Sequence, residues 1–216
     1  MSLLDLLMPP ACAACGRSGK LLCADCLDGF EAPSRPADRF LAPDAALAIG
    51  DALSVAMAAF AYEGPIRRAL AALKYTGASR LAPTLARAAG PTLRQLLLLT
   101  GPATLVPVPL HIERRRARGY NQAEHLARHL VQSVGMSMAD PLERARPTTK
   151  QHRLNRVARL HNLRGAFVVR EGSAVPRTVI LVDDIITTTA TLEACASVLR
   201  DGGCRNVYGF ALAREV

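Results

Sequence analysis

Two groups of side chains in this sequence are spaced for chemistry. The first is the run Val179-Ile180-Leu181-Val182-Asp183-Asp184-Ile185-Ile186-Thr187-Thr188-Thr189-Ala190-Thr191. Its leading apolar residues read as a buried strand that delivers Asp183 and Asp184 to the carboxyl edge of a sheet, where α/β folds place their ligands. The segment 187–191 then falls at the start of a helix, where backbone N–H groups and hydroxyls hold a phosphate. The two carboxylates, one short loop away, accept hydrogen bonds from ribose hydroxyls. The run therefore predicts a cradle for a ribose 5-phosphate group. A core strand that merely ends in an N-capping cluster is the plainer alternative, and it leaves the paired acids unexplained.

The second group is Cys12, Cys15, Cys23 and Cys26, two CxxC pairs separated by seven residues. A CxxC turn points two thiolates at one centre, and two such knuckles complete a tetrahedral sulfur site for Zn²⁺. Gly16 gives the first knuckle the tight turn it needs. Four thiolates leave no open coordination position, so the zinc is structural. A redox pair or a chance cluster are the competing readings. Cys195 and Cys204 have no partner at metal spacing and read as small buried hydrophobes.

The elements that must position these groups follow from apolar periodicity. Residues 1–43 read as the zinc module followed by a Pro-rich linker from Glu31, and 44–216 as the main domain. Within that domain, 54–62 predicts a strand. Ile66, Ala69, Leu70 and Leu73 recur at helical spacing, and a longer helix over 82–99 is expected to break near Gly90-Pro91. Residues 105–109 predict a buried strand, and 110–119 an arginine-rich loop. Ala123, Leu126, Ala127, Leu130, Val131 and Val134 form one helical stripe. Residues 141–162 lack apolar periodicity and predict a mobile loop. Strands over 166–170 and 178–182, a helix over 191–200 and a final strand over 206–212 complete a mainly parallel α/β sheet flanked by helices.

Charge is concentrated in one stretch. Of the net +9, all falls between His111 and Arg170, where 13 Lys or Arg face four Asp or Glu, and all five His lie there too. Such a segment implies an anionic partner, either the phosphates of a small ligand or nucleic acid; a solvated basic face is the bland reading. No targeting leader is visible, and the apolar stretch 45–61 is interrupted by Asp51, too weak for a membrane span. A cytoplasmic location is expected, and there the cysteines need a role other than disulfides.

The residues 179–191 resemble the phosphoribosyl pyrophosphate (PRPP) signature of type I phosphoribosyltransferases. More specifically, the chain is similar to the ComF competence-protein family, itself related to amidophosphoribosyltransferases. The likeness runs through the tandem CxxC, Leu73-Lys74-Tyr75, Val106-Pro107-Val108-Pro109 and Arg118-Gly119-Tyr120-Asn121-Gln122. It continues through Thr148 with Gln151, Arg159 with Asn162, and Gly165-Ala166-Phe167.

The resemblance implies a type I phosphoribosyltransferase fold with a hood at about 54–100 and a core at about 101–216. Asp183 and Asp184 would position the ribose, while Thr187, Thr188, Thr189, Ala190 and Thr191 hold the 5-phosphate. The loop after Pro109 would bind pyrophosphate through Arg118, with Lys74 a further contact to phosphate or acceptor. Thr148, Gln151, Arg159 and Asn162 would belong to a flexible loop that closes over the site. Mg²⁺ would accompany PRPP. Thr189 stands where the family has Gly, and a β-branched residue is costly there if φ must be positive, which shifts the expectation from turnover towards binding. Two classes of function remain. One is a factor in DNA uptake and natural transformation, or in use of external DNA, with single-stranded DNA on Arg114, Arg115 and Arg116 and other competence proteins as partners. The other is an active PRPP-dependent transferase with an unknown acceptor. The absence of Trp leaves few stacking platforms for bases.

Overall fold

The computed structural model describes residues 9–33, 40–41, 52–75, 78–145, 163 and 165–215. Its centre is a six-stranded sheet. The chain runs from a short helix α1 (Ala24–Asp28) through β1 (Phe40–Leu41), β2 (Ala56–Ala61), α2 (Gly64–Tyr75) and, after a 3₁₀ turn at Ala78–Leu81, α3 (Ala82–Thr100). There follow β3 (Thr104–Pro107), α4 (Ile112–Arg118), α5 (Gln122–Val134), β4 (Ser137–Met138) and β5 (Leu142–Arg144). The last elements are β6 (Phe167–Val169), β7 (Thr178–Ile186), α6 (Ala190–Asp201) and β8 (Asn206–Arg214). The strand order is β1-β2-β8-β7-β3-β4, and every pairing is parallel except β1 with β2. β5 and β6 form a separate antiparallel pair.

Central strands buried on both faces must be apolar throughout, and β7 is so from Val179 to Val182. Ile180 and Val182 pack with Leu85, Leu93 and Leu126, from α3 and α5, on one face. Val179 and Leu181 pack with Leu192, Cys195 and Leu199 of α6, and with Phe167, on the other. Helices on both sides of a parallel sheet give two cores, as expected for this architecture. Gly209 on β8 permits the closest helix approach, because a Cβ there would fall 2.8 Å from Leu192 Cδ1 and 3.0 Å from the Ala56 side chain.

Four sequence expectations need correction. The strand predicted to end at Val182 continues to Ile186, because β8 keeps pairing with it as far as Ile186 with Arg214. Asp183 and Asp184 therefore lie on the strand itself. Residues 110–119 are not all loop: the His111 ring accepts a hydrogen bond from the Glu113 N–H, and Gly119 closes α4 at φ 79°. Arg115, Arg116 and Arg118 sit in its last turn, where cations suit the helix dipole. The helix over 82–100 does not break at Pro91. Leu85, Ala86, Ala89, Leu93 and Leu96 bury one continuous face on either side of the proline, and this burial outweighs the backbone bond that Pro cannot make. Finally, part of the expected mobile loop is ordered: Leu142–Arg144 pairs with Phe167–Val169. Thr148, Gln151, Arg159 and Asn162 lie outside the described residues. Among the described residues, no helix is long and apolar enough to cross a membrane.

Candidate functional site

The carboxyl ends of β3 and β7 open into a cavity of about 200 Å³. It is lined by Asp183 and Asp184 of β7, by Lys74 of α2, and by Arg114 and Arg118 of α4. Asn121, Gln122 and Ala123 at the start of α5, Arg144 on β5 and Thr191 on α6 complete the polar wall.

Because successive residues of a strand point to opposite faces, the two acids have different surroundings. Asp184 turns towards α2, and its Oδ2 lies 3.2 Å from Lys74 Nζ. Asp183 is on the side of Arg144 and Cys195 and accepts the Asp184 backbone N–H through Oδ1 at 2.8 Å. Burial, and then the Asp184 charge, push the Asp183 carboxyl well above its ordinary range. Burial and then Arg114 lower the pKa of Arg144, whose guanidinium also stacks 5.3 Å from the centre of the Phe167 ring. The cavity thus gathers four cationic side chains, Lys74, Arg114, Arg118 and Arg144, around two acidic ones.

The threonine run is divided. Thr191 lines the cavity, Thr187 is exposed, and Thr189 and Ala190 are buried. Thr189 caps α6 with φ −71° and ψ −3°, and it accepts the Glu193 N–H at 2.8 Å through its carbonyl. The strain anticipated for a β-branched residue in place of Gly is therefore absent, since this φ is ordinary for any L-residue. Glu193 in turn accepts the backbone N–H groups of Ala52 and Leu53 at 3.0 and 3.1 Å, tying the entry to β2 onto α6.

The arginine cluster also divides. Arg114 and Arg118 face the cavity, whereas Arg116 is exposed and Arg115 turns to Glu124 at 3.5 Å. Arg115 borders a neighbouring cavity of about 160 Å³ with Asp140, Glu143 and Arg170, and Arg144 is a wall of both. Sequence reasoning assigns no individual role to Asn121, Gln122 or Arg144. The first two were visible only as part of a motif, and an arginine closing a three-residue strand carries no local signal.

The four N-terminal cysteines converge: their Sγ atoms all lie within 4.8 Å of one another. Burial raises the Cys12 thiol, but N–H groups from Cys23, Ala14 and Cys15 outweigh it and bring the pKa down to about 6. Burial and its sulfur neighbours push Cys26 up to about 12. Thiols this close repel as thiolates and suit a dication, so the donor set fits a metal such as zinc. The knuckle is anchored on the main sheet's helices: Arg68 of α2 donates to the Ala14 carbonyl at 2.5 Å, and Phe30 meets Phe60 of β2 edge-on at 5.1 Å.

The fold and site define an α/β protein with a mainly parallel sheet flanked by helices, an acidic pair at the carboxyl edge of that sheet and an N-terminal four-Cys module. No family model matches the chain. Among individual proteins it is similar to DNA utilization protein YhgH of Salmonella typhi, 32% identical over 72% of this chain and 70% of that one. Competence protein F of Haemophilus influenzae is 35% identical over 52% of this chain and 51% of its own. Competence protein ComFC of Streptococcus pneumoniae is 33% identical over 50% and 47%. The chain belongs to the ComF competence-protein family. The matched region spans about half the length of the two competence proteins.

Proposed function

We propose that the cavity binds PRPP or a related phosphoribosyl ligand, and that this binding serves uptake of DNA in natural transformation or use of external DNA. The observation that carries the ligand reading is the meeting of Asp183, Asp184, Lys74, Arg118 and Thr191 around one space. In this reading Asp183 and Asp184 accept the ribose hydroxyls, and the start of α6 from Thr187 to Thr191 holds the 5-phosphate. Arg114 and Arg118 neutralise the pyrophosphate. The relatives named for competence and DNA utilization support the biological half, and the exposed Arg115 and Arg116 leave basic surface for a single-stranded DNA backbone. The reading places the protein in the reducing cytoplasm, where its thiolates keep zinc, with other competence proteins as partners.

Asp183 and Asp184 also match the one or two carboxylates from which Mg²⁺ is usually held beside substrate phosphates. When bound there, Mg²⁺ would supply charge neutralisation for the pyrophosphate. The unstrained backbone at Thr189 favours a second reading, an active transferase that displaces pyrophosphate at the anomeric carbon. There the acids position the sugar, and Arg118 stabilises charge growing on the leaving group.

Calorimetric titration with PRPP, with and without Mg²⁺, tests the ligand reading. Saturable binding that disappears in the Asp183→Asn/Asp184→Asn double variant is expected, and equal or absent binding in both proteins overturns it. Single-stranded DNA affinity measured against salt tests the other half: a flat salt response, or no loss on replacing Arg115 and Arg116, which lie outside the ligand cavity, removes nucleic acid from the account.

A further inference from the structure

Lys74 reaches the cavity from the last turn of α2, and the first half of that helix is gripped by the four-Cys module. Cys12, Ala14, Leu22 and Cys26 of the module are buried in the same core as Ile66, Ala69, Leu70 and Leu73, the apolar stripe of α2. Apolar burial has no preferred direction, so it holds the helix down without fixing its place along its own axis. Directed contacts do that. Arg68 Nε donates to the Ala14 carbonyl at 2.5 Å, between the ligand positions Cys12 and Cys15. Gly29, just after α1, lies so near the first turn of α2 that a Cβ there would fall 3.3 Å from Pro65 Cγ. The Ala61 N–H at the end of β2 donates to the Glu31 carbonyl at 2.9 Å. At the far end of α2, Lys74 Nζ meets Asp184 Oδ2 and the Leu73 carbonyl accepts the Tyr120 hydroxyl. Arg68 and Lys74 are six residues apart, about 9 Å of helix axis.

We propose that Arg68 is a positioning residue for Lys74, through which the metal-loaded four-Cys module sets the affinity of the cavity for its ligand. The inference rests on the phosphoribosyl reading above and gives that site a regulator. Ala14 stands between Cys12 and Cys15, two of the four cysteines whose Sγ atoms lie within 4.8 Å of one another. A dication holds such a set together; without it the thiolates repel and the knuckle opens. Opening the knuckle moves the Ala14 carbonyl, the acceptor on which Arg68 pins α2. A displaced α2 carries Lys74 away from Asp184. From 3.2 Å, a shift of about 1 Å removes roughly a quarter of the attraction between the two charges. Cys15 is exposed, so a chelator reaches the set from solvent.

The test uses the full chain, loaded with zinc or stripped by a chelator, with PRPP as the probe and the variants Arg68→Met, Arg68→Lys and Arg67→Met. Methionine keeps the aliphatic stem of the arginine and removes its donors. Arg67, whose guanidinium lies 5.9 Å from the centre of the Tyr62 ring, controls for the loss of a cation from the same turn. In zinc-loaded protein, Arg68→Met is expected to weaken PRPP about fivefold at unchanged zinc content, the low end of couplings between separate sites. Arg68→Lys recovers part of the loss, and Arg67→Met stays within about twofold of wild type. Linkage is reciprocal, so PRPP tightens zinc by the factor by which zinc tightens PRPP, and Arg68→Met shrinks both. A module that merely stabilised the fold would lower the melting temperature on stripping and leave the two affinities independent. A second readout needs no ligand: the coupling energy between Lys74→Met and Asp184→Asn falls to about half or less in the Arg68→Met background. Unchanged PRPP affinity in zinc-loaded Arg68→Met, or equal coupling in both backgrounds, overturns the inference while leaving the phosphoribosyl reading intact. If the zinc-loaded wild type binds no PRPP, the phosphoribosyl reading fails and takes the ligand half of this inference with it.

Discussion

Removing the Lys74 ammonium isolates the ionic hold of α2 on the acidic pair. Lys74 Nζ and Asp184 Oδ2 are 3.2 Å apart, and the side chains are 24% and 18% exposed. At an effective dielectric of about 20, that separation corresponds to about 5 kcal/mol of attraction before desolvation. Withdrawing both groups from water, together with the screening that their residual exposure allows, offsets more than half and leaves about 2 kcal/mol. Lys74→Met keeps the packing of the aliphatic stem and deletes the charge, stranding the Asp184 carboxylate beside Asp183. For a chain of this length, about 2 kcal/mol lowers the melting temperature by roughly 4–8 °C. The assay is a double-mutant cycle with Asp184→Asn, read by denaturant unfolding at pH 7. The expected coupling energy is about 2 kcal/mol, and the Lys74→Met loss is recovered in large part when Asp184 is neutralised too. A coupling below about 0.5 kcal/mol would refute the picture of α2 pinned to the end of β7 by this pair.

Other consequences are equally measurable. Asp183 binds a proton in the folded protein at pH values where the unfolded chain, near its ordinary 3.8, has released it. Its contribution to stability therefore falls as pH rises from about 4 through the raised folded value. Asp183→Asn removes that loss, so its stability advantage over wild type should grow with pH across this window; a constant offset would contradict the assignment. Freshly purified protein should carry about one zinc per chain. Cys26→Ser should drop the ratio below about one half and lower the melting temperature, since Cys12 and Cys26 are also core residues. Glu193→Ala should cost about 2–4 kcal/mol by leaving the Ala52 and Leu53 amides without their carboxylate, with Glu193→Gln recovering part of it; a loss below 1 kcal/mol would show that water replaces the clamp.

Much of this was legible in the sequence because the informative residues are local. Four cysteines at knuckle spacing and a run of apolar residues, acids and threonines each declare their own backbone. The sheet's polarity followed from strands alternating with helices. What sequence could not show was how far pairing extends. β7 continues past its apolar core because β8 stays beside it, and only this continuation sends Asp183 and Asp184 to opposite faces. The helix in the arginine loop was hidden because its cap is a histidine, an uncommon choice, and its buried face is absent. Pro91 misled for the opposite reason: its local penalty is real, but long-range packing of α3 on α5 and the sheet exceeds it. Arg144 reaches the cavity through tertiary placement alone. The cost foreseen at Thr189 depends on a positive φ, and its φ of −71° does not meet that condition.

The crystal structure of the protein with PRPP would test the central claim most directly. The account predicts one ligand in the cavity, its ribose hydroxyls on Asp183 and Asp184, its 5-phosphate at the start of α6 between Thr187 and Thr191, and its diphosphate beside Arg114 and Arg118. A ligand bound elsewhere, or one whose phosphate avoids α6 while the acids keep their present partners, would contradict it.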